Sequence, residues 1–197
     1  MVRLQLRTVV TFAILCSHVA PVQAQNYDEG IAAFHAGNFA TALSQWRPLA
    51  KQGHARAQYR LGIMYEYGRG LGQNDVEALT WYRKAAEQGV AVAQYRLAVL
   101  HDNGWGIARN DAEAVRWYRK AAEQGHALAQ HDLAFMYAAG TGVPQDYVRA
   151  YMWLKIAVVQ GNNLMVKHLN RIGKDLTVAQ VGEAHNLARE WMHKHQQ

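Results

Sequence analysis

Along residues 54–89 the apolar positions fall into two helical arcs separated by a glycine-rich break. Ala57, Leu61, Met64 and Tyr65 stand at i, i+4, i+7 and i+8, which is one face of a helix. Gly68 supplies a residue free to turn left-handed and end it, and Asn74 with Glu77 has the capping-box spacing that starts a second helix. There Ala78, Trp81, Tyr82 and Ala85 form the apolar arc. Arg83, Lys84 and Glu87 lie opposite, with Arg83 and Glu87 four apart and able to pair. The whole pattern then recurs. The stretch Trp81 to Gly89 returns residue for residue as Trp117 to Gly125, and in decayed form as Trp153 to Gly161, at a spacing of 36. Units 54–89 and 90–125 agree at about 21 of 36 positions, and a period of this size is the signature of a solenoid.

Two amphipathic helices of this length cannot bury both of their faces alone, so each unit needs its neighbours, and the expected fold is an all-α solenoid of stacked helical hairpins. Three units span 54–89, 90–125 and 126–161. Small residues at equivalent places, Gly62, Ala98 and Ala134 in the first helix and Ala85, Ala121 and Ala157 in the second, allow close approach. Residues 25–53 read as a shorter, atypical hairpin with a tight Gly37-Asn38 turn, which caps the stack at its N-terminal end. At the other end, Ile156 and Val159 replace the charged residues of earlier units, so something must cover them. Residues 162–197 supply a candidate, with a short helix from Leu164 to Ile172 and a longer one opened by Thr177 and Gln180.

The first 24 residues do not share this composition. Arg3 and Arg7 precede the apolar run Val9 to Leu15, too short to span a bilayer, and Val22-Gln23-Ala24 offers the small residues a signal peptidase accepts. The expectation is a cleaved secretory signal over 1–24 and a periplasmic or secreted protein with no stable membrane insertion afterwards. An uncleaved anchor is the alternative. Lipidation of Cys16 is a third reading, disfavoured by the bulk of Leu15 before it. Cleavage would remove the only cysteine, leaving packing alone to hold the fold. The formal charge of +6 would drop to about +4, spread among acidic residues rather than gathered into a run, so no nucleic-acid partner is expected.

Candidate chemistry is thin. Gly68-Arg69-Gly70-Leu71-Gly72 joins two helices and lacks the Gly-Lys-Ser/Thr ending of a phosphate loop, so its glycines read as turn residues, with Leu71, Ile107 and Val143 plugging the gap between helices. There are ten histidines, but His193 and His195 are two apart and diverge on a helix, and surface histidine is the plainer account of them and of His185. No nucleophile stands beside a base, Ser44 being the one serine after residue 24. Glu66 and Asp102, equivalent one unit apart, could form a carboxylate pair or simply a polar rim. The expectation is no catalytic residue, no metal and no cofactor.

The run Ala55-x-Ala57-Gln58-Tyr59-x-Leu61-Gly62-x-Met64-Tyr65, then Gly68-x-Gly70, then Glu77-Ala78-x-x-Trp81-Tyr82-x-Lys84-Ala85-Ala86-x-x-Gly89 resembles the SEL-like repeat family, kin of tetratricopeptide repeats. The resemblance implies a right-handed superhelix of antiparallel helix pairs. It implies too a non-enzymatic scaffold that binds a protein or peptide, often exported in bacteria. It does not extend to the branch that staples each repeat with a cysteine pair. In such folds the first helices line the concave surface. That directs attention to a stripe off the core face: Arg56, Tyr59, Ile63 and Glu66, then Val92, Tyr95, Val99 and Asp102, then Leu128, His131, Phe135 and Ala138. Either neighbouring first helices bury this stripe against each other, or it lines a groove suited to a peptide or helix. A structural subunit of an envelope assembly and, more remotely, an envelope hydrolase are the rival functions.

Overall fold

The computed structural model describes residues 19–195, with side chains from residue 26. The expected signal segment lies mostly outside the described residues, although the first helix already includes Val22-Gln23-Ala24. Ten α-helices follow one another: α1 (Val19–His35), α2 (Phe39–Lys51), α3 (Ala55–Glu66), α4 (Asp75–Glu87), α5 (Ala91–Asn103), α6 (Asp111–Glu123), α7 (Ala127–Ala139), α8 (Tyr147–Val159), α9 (Val166–Gly173) and α10 (Val178–His195), with a 3-10 turn at Asn163–Met165 before α9. From α1 to α8 each helix packs on the next, and α9 and α10 both fold back on α8. The result is an α-solenoid with no strand among the described residues.

Each second helix starts at a side-chain cap. Asn74, Asn110 and Asp146 accept from the backbone N–H of Glu77, Glu113 and Arg149 at 3.1, 3.0 and 2.9 Å. The reciprocal half of the capping box is not made there, because the backbone N–H of each capping residue donates instead to Tyr65, His101 and Tyr137 of the helix before, each at 2.9 Å. The loop is thereby clipped to its own hairpin. At α10 the box closes both ways: Thr177 and Gln180 exchange hydrogen bonds at 2.9 and 3.3 Å. Gly106 shows why the loop glycines are needed. Its φ is +69°, and an added Cβ would lie 2.5 Å from the backbone carbon of Asp75 at the start of α4.

The core is two clusters of buried side chains, one around Trp46, Leu61 and Met64 and a larger one that runs through Tyr82, Leu97, Leu100, Tyr118, Leu133, Leu154 and Ile156, all of these fully buried. In the first two repeats a glutamine of the first helix ties it to both flanking second helices. Gln58 donates to the Ala50 carbonyl of α2 at 3.1 Å and accepts from Gln88 after α4 at 2.7 Å. Gln94 does the same with Ala86 and Gln124, at 3.1 and 2.7 Å. In the third unit Gln130 reaches Ala122, but its Oε1 has no partner. Two expectations need correction. Ile156 is fully buried, in one cluster with Leu169, Ile172 and Ala184 of the tail, but Val159 keeps 53% exposure although α9 and α10 pack on α8. The possible Arg83–Glu87 pair is not made, and the ion pairs that do form include Arg96 with Glu66 between units and Arg116 with Glu113 within α6.

Candidate binding face

The stripe on the first helices is neither core nor fully open. Tyr59, Ile63, Glu66, Tyr95, Val99, Asp102, His131 and Ala138 are half-buried, whereas Arg56, Val92, Leu128 and Phe135 are exposed. The half-burial comes from each unit's own second helix and from the start of the next unit. Tyr59 leans on Tyr82 and Tyr95 on Tyr118, each at 5.8 Å between ring centres. Tyr95 is also stacked on His126 at 4.6 Å. Burial first, then the Asp132 carboxylate beside it, pushes the Tyr95 hydroxyl up to about 12.

Polar groups at the bottom of the stripe form networks between units. Glu66 accepts from the Tyr82 hydroxyl and, at 3.3 Å, from Arg96 Nη1 of the next unit. Burial works against the Arg96 charge, but Glu66 and the surrounding tyrosines outweigh it and hold the guanidinium firmly protonated. Glu66 therefore does not pair with Asp102. The carboxylate that shares surroundings with Asp102 is Asp132, one turn into α7: both act on the Tyr118 hydroxyl, which donates to Asp102 at 3.4 Å. Burial, and then Asp111 and Asp132, push the Asp102 carboxyl up, against the pull of Arg109 and Tyr118. Asp132 was not among the residues singled out from the sequence. The signal for it is the series Arg60, Arg96, Asp132, in which a repeated cation gives way to an acid.

At the third unit the stripe meets the tail. His131 lies 4.6 Å from Phe135, and His168 of α9 sits edge-on to both, at 5.6 and 5.0 Å. Beyond them Phe135, Ala138, Ala139, Tyr147, His168, Arg171 and Ile172 line a mostly apolar hollow of about 310 Å³. Since the tail is outside the repeat, the period gives no hint of this wall. Two other histidines have structural work: His54 and His126 cap α3 and α7 by accepting at Nδ1 from Ala57 and Ala129. His185 lies against Tyr151, and His195 stacks on Trp191. Among the described residues no three His, Cys, Asp or Glu side chains gather as metal ligands, and no helix is long and apolar enough to cross a membrane.

The stack has counterparts among known proteins. The Sel1 repeat profile matches residues 55–90, 91–126 and 127–162. A crystal structure of a Sel1 repeat protein from Oxalobacter formigenes is 36% identical with a TM-score of 0.70, over 73% of this chain and 59% of that one. The c5321 protein, a protective antigen present in uropathogenic Escherichia coli strains and displaying an SLR fold, is 28% identical with a TM-score of 0.54, over 88% of this chain and 46% of that one. The chain thus spans well under two thirds of the length of either. Among curated proteins there is no match. With three profile matches in phase over more than half of its residues, and hairpins that stack as those of solved relatives do, the chain belongs to the Sel1 repeat family.

Proposed function

We propose that this protein is an exported, non-enzymatic scaffold that binds a peptide segment of another protein along the concave face made by α3, α5 and α7. The observation that carries the reading is the third unit, where Phe135 keeps 37% of its surface exposed on the wall of the hollow, and Leu128, two turns before it in α7, keeps 50%. Large apolar side chains held at that exposure next to a concavity suit a partner's side chain. The family supports the general role, since Sel1 repeats serve as interaction scaffolds. Export rests on the basic, apolar and small-residue order of residues 1–24.

A randomised dodecapeptide display library, panned against the full chain and against Phe135→Ala, tests the binding face. Peptides recovered on the parent protein should bind Phe135→Ala at least tenfold more weakly while its Tm changes little. Equal binding to both proteins would place the partner surface elsewhere. Export is checked by the intact mass of the secreted form, expected to begin near Gln25. A form that keeps Met1 or carries a diacylglycerol on Cys16 would overturn it.

A further inference from the structure

We propose that the peptide taken by this face carries a lysine or arginine close to an apolar residue, the cation entering between Asp102 and Asp132 and the apolar side chain entering the hollow beside Phe135. This rests on the first-helix face being the binding surface. The repeat itself shows what such a place accepts. One unit earlier, the Tyr82 hydroxyl and the Arg96 guanidinium both satisfy Glu66. Thirty-six residues on, the tyrosine is kept as Tyr118 and the acid as Asp102, but the arginine has become Asp132. A second carboxylate now faces the position where the guanidinium would stand.

The protein's own cations do not make this good. Arg109 comes no nearer to Asp102 than 4.0 Å, is 60% exposed and is held at 2.6 Å by Asp111. Among the described residues Asp132 has no lysine or arginine within ion-pair distance, its one such contact being His131 Nδ1 at 2.7 Å. Two carboxylates that repel each other in half-buried surroundings are relieved together by one external cation, and burial strengthens the attraction. The charged place is continuous with the apolar one, since His131 bonds Asp132 on one side and lies on Phe135 on the other. Arg171 of α9, which also lines the hollow, sets a direction. A peptide must place its cation over α5 and α7 rather than over α9.

The same peptide library decides the matter. Recovered sequences should be enriched at least threefold in Lys or Arg within three positions of Leu, Ile, Phe or Met. Their affinity should fall tenfold or more on Asp132→Arg, which restores the pattern of the earlier junction and pairs internally with Asp102. It should also fall on Asp132→Asn, a variant that adds no bulk, and should weaken steeply with added salt for the parent protein. Peptides without basic enrichment, or peptides lost on Phe135→Ala but bound equally by both Asp132 variants, would overturn the cationic partner and leave the binding face standing. Recovery of no peptide, or indifference to all three substitutions, would overturn both.

Discussion

At the junction of the first and second repeats, Glu66 keeps 11% of its side-chain surface and is closed in by Tyr82 and Arg96. At the next junction, built from equivalent positions on the same hydrophobic framework, Asp102 keeps 33% and its nearest cation is an exposed arginine on a loop. Tyr82 and Tyr118 are equally buried beneath them. The difference teaches that the apolar frame of a repeat and its polar fittings vary independently. One junction consumes its charges in holding two units together, and the other leaves a carboxylate pair facing outward.

The largest test checks that the frames are alike. Tyr82→Ala and Tyr118→Ala should each destabilise the fold by about 3–5 kcal/mol in chemical denaturation, the range for a large buried aromatic. A small loss at Tyr118 alone would break the equivalence. Removing only the hydroxyls separates the fittings: Tyr82→Phe deletes a buried donor to a closed-in carboxylate and should cost about 1.5–3 kcal/mol, whereas Tyr118→Phe should cost under about 1 kcal/mol. Equal losses would mean that the two networks carry the same weight.

Neutralising the acids should split further. Glu66→Gln strands Arg96, which water partly reaches, for a loss of about 1 kcal/mol. Asp102→Asn should lie within about 0.5 kcal/mol of the parent protein, or stabilise it, because burial already disfavours the Asp102 charge. The raised Asp102 pKa gives the sign with acidity: the folded chain takes up that proton first, so this group favours folding as pH falls through its range.

The smallest effect concerns His101, a buried imidazole where the other units have Tyr65 and Tyr137. Burial lowers its pKa from 6.5, Arg83 and Arg116 lower it further, and Glu113 opposes them. Below about pH 6.5 the unfolded chain binds a proton that the folded chain resists, so stability is lost on acidification. His101→Tyr gives Arg83 the partner that Arg119 has in Tyr137 at 2.9 Å. It should shrink the drop in Tm between pH 7 and pH 5 by about 1–2 °C. An unchanged drop would assign it to other groups, such as His126, whose pKa burial also lowers.

The hairpins, their caps and the core face are legible in the sequence because the period states each signal repeatedly: Asn74 and Asn110 cap as their spacing says, and Ala57, Leu61 and Met64 are buried. Contacts between units are less so. The partner that Glu66 finds is thirty residues on, not thirty-six, an offset set by how the end of α3 lies against the start of α5. Comparing equivalent positions therefore suggests Glu66 with Asp102, whereas packing delivers Arg96 to one and Asp132 to the other. His168 is hidden for another reason: α9 belongs to no repeat, so its landing on Phe135 follows from tertiary packing alone.

The Glu66–Arg96 pair also gives the units a preferred order. Excise residues 90–125 as one whole period, and the glutamines would accept the splice, since Gln130 would meet Ala86 as Gln94 does. The closed ion pair would be lost: Glu66 would come up against Asp132, and the new junction would be of the acid-beside-acid kind that Asp102 and Asp132 already form. Copies made by duplication start out exchangeable, and a single arginine-to-aspartate difference between the second and third is enough to make their places along the stack unequal.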